Sequence, residues 1–471
     1  MKTSSILLLS LALLVSPVLS AAPKHGPQGS LDSILRWNKI AIDASGYDHA
    51  HAREQLGPGR ASRAMAIAHI AIFDAANAVV GGFESYGDVT AGPGPMSFEA
   101  AVAQAAHDAL VSLFPSQAAD LDALLAEDLA KVKNKNALIN GINLGKLSAA
   151  TCLLSRVGDG SEVPEPFLTG LNPWITSDLP GHWRMDPISQ LPIVLGGHWG
   201  ECAPFVLESS SQFRVPPFPA MTSPEYTAAY NEVKRVGGDG VTTPTERTVD
   251  ETIAGIFWAY DGTPSLCAPP RLFNQIAAQI AGQMGSGAME TAQLLVLVNV
   301  AMADATLTCW ESKYYYDIWR PVTGIRESDL GAGDGNPDTI GDPTFSPLGA
   351  PASNISGGKN FTPPFPAYPS GHASMGGALF QTLRRFYGTD NIPFTFVSDE
   401  LNGVTTDNQG NVRPLIPRSF STLSQAEDEN GQSRIYLGIH WSFDKNEGIA
   451  MGRRVADYIF DNAFGPLPPR R

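Results

Sequence analysis

Cysteine is scarce. The chain has 471 residues and only four of them, Cys152, Cys202, Cys267 and Cys309. None lies in a C-x-x-C pair, which argues against a structural zinc site. Their spacing defines no disulfide pairing, so oxidised pairs and buried free thiols both stay open. Positive charge is also in short supply. Lys and Arg number 32 against 47 Asp and Glu, a formal net charge of -15. With no basic patch in view, that balance argues against a nucleic-acid partner. Beyond the N-terminal residues, no stretch is read as both long enough to span a bilayer and free of charge, so no stable membrane anchor is expected in the mature chain. Alternating strand patterns are few.

What the sequence does contain begins with a leader. Lys2 precedes an apolar run over 6–15, and the small residues Ser20, Ala21 and Ala22 follow. This is the pattern of a secretory signal peptide, and the run is too short for a transmembrane helix. Residues 1–22 are therefore expected to be removed and the protein to be secreted or periplasmic. Residues 22 to about 55 read as a variable lead-in. Helical text starts at Ser62, where Ala and large apolar residues run without Gly or Pro, and continues over 97–115, 117–134 and 138–157. Residues 158–222 are dense in Pro and Gly and read as a long excursion. Helices are expected at 225–235, 250–260 and 271–284. The strongest spans 288–319; its stretch 294–303 is apolar nearly all round, which places it at a bundle centre. Pro321 should end it. A second long loop covers 327–367, and helix returns at 371–387, 424–437 and 446–462.

The expected fold class is all-α, two helical bundles with long Pro/Gly-rich loops. An N-terminal helical region covers 23–245, and a C-terminal bundle over 246–465 carries the chemistry.

Three separated segments supply that chemistry. Lys313 and Arg320 are seven residues apart, close to two turns if one helix holds both, so both cations would face one side. Taken alone they could be a solvated helix face, but Trp310, Tyr314, Tyr315, Tyr316, Ile318 and Trp319 around them suggest burial, and a buried cation needs a partner. Pro369-Ser370-Gly371-His372 opens a helix. Ser370 is a natural N-cap, and the free N–H groups of a first turn attract anions. In Ser433-Arg434, then His440 and Asp444, Gly438 should stop a helix and turn the chain back. Asp444 could hold one ring nitrogen of His440 and leave the other as ligand or nucleophile. An ordinary capped helix or a structural histidine would explain any one segment alone. Together they could enclose one tetrahedral oxyanion.

The three segments match the pattern K-x6-R-P, P-S-G-H, S-R-x5-H-x3-D at every position. The chain thereby resembles the vanadium-dependent haloperoxidases, within the type 2 phosphatidic acid phosphatase superfamily. Flanking residues around Trp310-Glu-Ser-Lys313, Pro363-Pro-Phe-Pro and Tyr436-Leu-Gly-Ile-His440-Trp look like the fungal-type vanadium chloroperoxidases. The likeness covers about 250–460. A long insertion between His372 and Ser433 also suits the haloperoxidases.

The resemblance implies a vanadate cofactor with His440 as the ligand to vanadium. It implies that Lys313, Arg320 and Arg434 neutralise the oxyanion, and that Ser370 and the Gly371 N–H donate to it. His372 would move protons, Lys313 would polarise the peroxide, and Asp261 would pair with a site arginine. Trp310 and Phe365 would line the halide approach. The implied reaction is oxidation of chloride or bromide by hydrogen peroxide to hypohalous acid, by Lewis-acid catalysis. The alternative is a secreted acid phosphatase without a metal, acting on phosphate esters with His440 as nucleophile. A binding protein without turnover is a third reading, and the two histidines argue against it. The oligomeric state is not read from the sequence.

Weaker candidates remain. Asp334-Gly-Asn336-Pro-Asp338 looks like the start of a calcium loop but lacks the EF-hand glycine and terminal glutamate, so it reads as a polar loop. Asn354 and Asn360 begin glycosylation sequons. His25, His49, His51, His69, His107, His182 and His198 have no partner pattern and read as structural or surface groups.

Overall fold

Alanine-rich, proline-free segments become long helices, and polar residues cap their starts. A computed structural model describes residues 29–331 and 333–468; the expected leader over 1–22 and His25 lie outside them. The first half forms α1 (Leu31–Ala50), α2 (Gly57–Val80), α3 (Phe98–Leu113), α4 (Ala118–Leu129), α5 (Lys135–Ser155) and α6 (Pro224–Val236). Ser97 caps α3 by accepting from the Ala100 N–H, and Asn134 caps α5 in the same manner. The second half forms α7 (Val249–Phe257), α8 (Pro269–Met284), α9 (Ala288–Tyr316), α10 (Pro321–Glu327), α11 (Gly371–Tyr387), α12 (Leu423–Tyr436) and α13 (Ser442–Asn462). Thr248 and Glu251 close a reciprocal capping box on α7.

Helix α9 is the axle. Its residues from Leu294 to Trp310 are all buried, and α2, α8, α11 and α13 pack around it. One apolar core therefore runs from Ile34 to Phe464 and joins both halves of the chain. Helices α11 and α13 approach closely because glycines meet backbone. A methyl on Gly452 would stand 2.1 Å from the Ser374 carbonyl oxygen, and one on Gly377 would stand 2.6 Å from that of Ile449.

Several expectations need correction. The supposed lead-in is α1, which buries Trp37, Ile34 and Ala41. The central helix stops at Tyr316, where Asp317 takes a left-handed φ of 52°. Lys313 and Arg320 are therefore not two turns apart on one helix. Pro321 does not end that helix; it opens α10, with Arg320 as N-cap. The insertion after His372 contains an antiparallel pair, β1 (Phe394–Asn402) and β2 (Leu415–Phe420), in register from Phe394↔Phe420 to Val397↔Pro417. Phe394 and Phe396 point inward while Thr395 and Val397 face out. Among the described residues three helices (α2, α5 and α9) are long and apolar enough to cross a membrane, although each carries charged residues. For α2 and α9 the apolar surface is instead spent inside the protein. The four cysteines are buried and unpaired.

Candidate active site

The site forms where the ends of α9, α11 and α12 meet the start of α13. Ser370 caps α11, its own N–H donating to the Asp444 carbonyl at 3.0 Å, which ties that helix start to α13. Arg434 sits in the last turn of α12. Gly438 then takes φ 72°, with its backbone so close to Gly237 that a Cβ would lie 2.4 Å from the Gly237 oxygen. This turn delivers His440 back towards Arg320.

His440 has a defined tautomer. Its Nδ1–H donates to Asp444 Oδ2 at 2.7 Å, and Nε2 accepts from Arg320 Nη1 at 2.9 Å. Asp444 Oδ2 also accepts from the Trp441 N–H at 3.0 Å. Burial, then the nearby Arg320, holds the ring well below the usual histidine range, so it is neutral with an Nε2 lone pair aimed into the cationic cluster. Burial pushes the Asp444 carboxyl up to about 7. Arg320 also donates to the Phe365 and Ile439 carbonyls, each at 2.8 Å. Arg434 Nη2 meets Asp261 Oδ1 at 2.6 Å.

His372 faces that pair across 4.0 Å, and its Nε2–H donates to the Ala259 carbonyl. Burial and the Arg434 charge drive its pKa well down. The neutral ring thus keeps Nδ1 as its free basic atom.

Lys313 is buried, and its Nζ donates to three carbonyls, those of Pro366, Ala367 and Pro369. Burial pulls it down to about 7, while three acceptors call for three N–H donors and so select the ammonium. The Phe365 ring lies 5.1 Å from Lys313 Nζ and 4.9 Å from the Arg320 guanidinium carbon. Trp310 packs on Phe365 at 4.9 Å and commits its indole N–H to the Leu195 carbonyl.

A cavity of about 220 Å³ opens onto this cluster. Asp261, Trp310, Phe365, Gly371, His372, Arg434 and His440 line it, whereas Lys313, Arg320 and Ser370 lie behind its wall. Sequence reasoning missed the contribution of the first half: His49, Arg53, Leu56 and Leu195 also line the cavity. His49 is therefore a wall residue. No spacing signal marks it, because the approach is made by α1 packing beside α8. His69 bonds Asn38 and His107 bonds Asp108 and Asp122, away from the site.

The residues fit an oxyanion. Arg320 Nη2 and Arg434 Nε and Nη1 are buried without an acceptor among the described residues. Among the described residues two buried carboxylates, Asp261 and Asp444, stand against the three cations Lys313, Arg320 and Arg434, which leaves an excess of positive charge. Such donors, on three elements around a neutral imidazole, satisfy an anion whose charge is spread over several oxygens. Among the described residues no cluster of His, Cys, Asp and Glu suits a bare metal cation. The Asp334 loop is closed by its own bonds to Asn336 and Thr339.

Fold and site together define a helical protein whose buried cationic centre fits an oxyanion. Comparison with known proteins sharpens this. The family model for the VCPO second helical-bundle domain matches residues 293–466. The vanadium chloroperoxidase of Curvularia inaequalis is 30% identical over an alignment covering 93% of this chain and 90% of that protein. A bacterial vanadium-dependent iodoperoxidase structure superposes with a TM-score of 0.74 at 24% identity, covering 95% of this chain and 100% of that one. A holo-type bacterial vanadium-dependent chloroperoxidase gives 0.63 at 15%, covering 92% and 97%. The chain belongs to the vanadium-dependent haloperoxidase family, whose members are peroxidase-type enzymes using peroxide and halide.

Proposed function

We propose that the protein binds vanadate and oxidises chloride and bromide with hydrogen peroxide to hypohalous acid. The observation that carries this reading is the set of buried guanidinium N–H groups on Arg320 and Arg434 that lack an acceptor among the described residues, in a cluster where His440 Nε2 is an unprotonated acceptor held by Arg320. In this reading His440 Nε2 ligates vanadium and Asp444 fixes the ring that does so. Arg320, Arg434 and Lys313 balance the oxyanion charge, and the Ser370 hydroxyl and Gly371 N–H donate to it. Bound there, vanadate supplies a Lewis acid that activates peroxide without a change of oxidation state.

The protein's own groups do the rest. His372 Nδ1 accepts a proton from entering peroxide, with Nε2–H anchored on Ala259. Asp261 holds Arg434 in place. Lys313 keeps the segment that ends at Ser370 in position through three carbonyls, and its charge polarises the peroxide. Trp310 and Phe365 keep water from the reacting oxygen. Because the indole N–H is already committed, halide meets ring surface there rather than a donor. This dry aromatic wall supports chloride as well as bromide, since chloride must shed the most water. The oxyanion centre is assigned to a C-terminal unit over 246–465. Cleavage of residues 1–22 and export complete the proposal.

The test is halogenation of monochlorodimedone by peroxide with chloride, bromide or iodide, with and without orthovanadate. Vanadate-dependent chlorination is expected. If vanadate only inhibits and an aryl phosphate is hydrolysed, His440 is a phosphatase nucleophile and this reading fails.

A further inference from the structure

The cavity is larger than peroxide and halide require. At about 220 Å³ it exceeds the roughly 150 Å³ of a cavity that takes benzene. Leu56, Leu191, Ile193, Ile355, Phe361 and Met375 make its walls apolar, while His372, Arg434 and His440 form its polar end. A halide ion gains nothing from aliphatic walls, whereas an organic ring does.

The lining has one further charged group, because His49 is tied at both ring nitrogens as a neutral ring, Nδ1–H donating to the Ser45 carbonyl and Nε2 accepting from the Gly57 N–H. Arg53 is exposed at the cavity edge, with its backbone held in a left-handed turn after α1 (φ 60°) by a bond from its N–H to the Asp48 carbonyl. Its guanidinium has no carboxylate partner among the described residues, although the chain carries an excess of acid. The carboxylate on the cavity wall, Asp261, is already paired with Arg434. Once an oxyanion balances the inner cations, Arg53 remains the uncompensated charge of the cavity.

We propose that this cavity also holds the organic acceptor of the oxidised halogen: an electron-rich aromatic ring bearing a carboxylate, with the ring against the apolar wall and the carboxylate at Arg53. The inference rests on the haloperoxidase reading. Peroxide, halide and a proton give hypohalous acid and water. A ring carbon then uses its π electron pair to form the carbon–halogen bond as the oxygen–halogen bond breaks. The ring proton leaves with the released hydroxide as water. Halogenation in the cavity fixes which ring carbon reacts, whereas free hypohalous acid reacts according to the ring alone.

The probe is 3-(3-hydroxyphenyl)propanoate, compared with its neutral amide. Vanadate-loaded protein is first titrated with each, without peroxide, while tryptophan fluorescence is followed; Trp310 lies in the wall. Bromination is then run with peroxide, and the isomer ratio is compared with that from hypobromite at the same pH. The expected result is saturable binding that favours the acid, and an isomer ratio unlike that of hypobromite. Arg53→Gln should weaken acid binding by about two- to fivefold, the range of an exposed ion pair, and amide binding by less. An isomer ratio equal to that of hypobromite, or equal binding of acid and amide, overturns the proposal. A control without acceptor separates the readings. If bromide is oxidised normally there, only the acceptor inference has failed; if it is not, the haloperoxidase reading falls and takes the inference with it.

Discussion

His440 and Asp444 show how one carboxylate sets the chemistry of an imidazole. Because Asp444 takes the Nδ1–H, Nε2 is left unprotonated in a pocket of three cations. Asp444→Asn keeps the shape but can present an amide N–H to Nδ1 and so favour the wrong tautomer. Vanadate affinity should fall about 10- to 100-fold, as is usual when the group orienting a metal ligand is changed; isothermal titration with orthovanadate measures it. Lys313 gives a pH prediction. Burial lowers its pKa from 10.5 to about 7. A bound anion favours the ammonium and raises that value again. Between the two values, binding takes up a proton, so vanadate affinity should fall as pH rises above about 7 and flatten below it. Lys313→Met should remove that part of the slope, and titrations between about pH 6 and about pH 9 would show whether it does.

The β1–β2 insertion has a part beyond filling space. Ser398 donates to the Phe257 carbonyl, Glu400 accepts from the Tyr260 N–H at 3.3 Å, and the Tyr260 hydroxyl accepts from the Asp399 N–H at 2.6 Å. These bonds brace the segment after α7 that presents the Ala259 carbonyl to His372 and Asp261 to Arg434. Glu400 is fully buried and paired with Arg413. Glu400→Ala would strand that arginine and should cost about 3–5 kcal/mol of stability. Urea denaturation checks this, and a Glu400→Leu/Arg413→Met double variant should recover most of the loss. If the single variant unfolds at the wild-type midpoint, the brace carries no such weight.

Across the molecule, α2 from the first half covers α9 from the second, and residues of both halves line the cavity. Two consequences can be measured. A fragment of residues 246–465 should fail to bind vanadate, because α9 would expose the surface that α2 covers; a titration of the fragment decides. Orthovanadate at about 100 times its Kd should stabilise the whole chain by about 2.7 kcal/mol. Differential scanning calorimetry would register this as a Tm rise of a few degrees that Arg434→Ala abolishes.

Chemistry was the most legible part of the sequence. Lys313, Arg320, Ser370, Gly371, His372, Arg434, His440 and Asp444 were identifiable because each depends on residue type and short spacing, and the structure gathers the elements that carry them at one end of the bundle. The helices were legible because composition and capping are local. The break at Asp317 was not, since its left-handed turn is held by the 181–183 segment, whose backbone bonds to Asp317 and Trp319. Nor was α1 visible as a core helix, because its composition is only weakly apolar and its burial depends on partners far along the chain. The amino-acid sequence by itself therefore determined which groups could grip an oxyanion and that helices would carry them. The tertiary structure alone decided that Lys313 is tied to carbonyls, that the first half walls the cavity, and that a hairpin braces Asp261, because each of these follows from contacts between residues tens to hundreds of positions apart, whose closure no local pattern records.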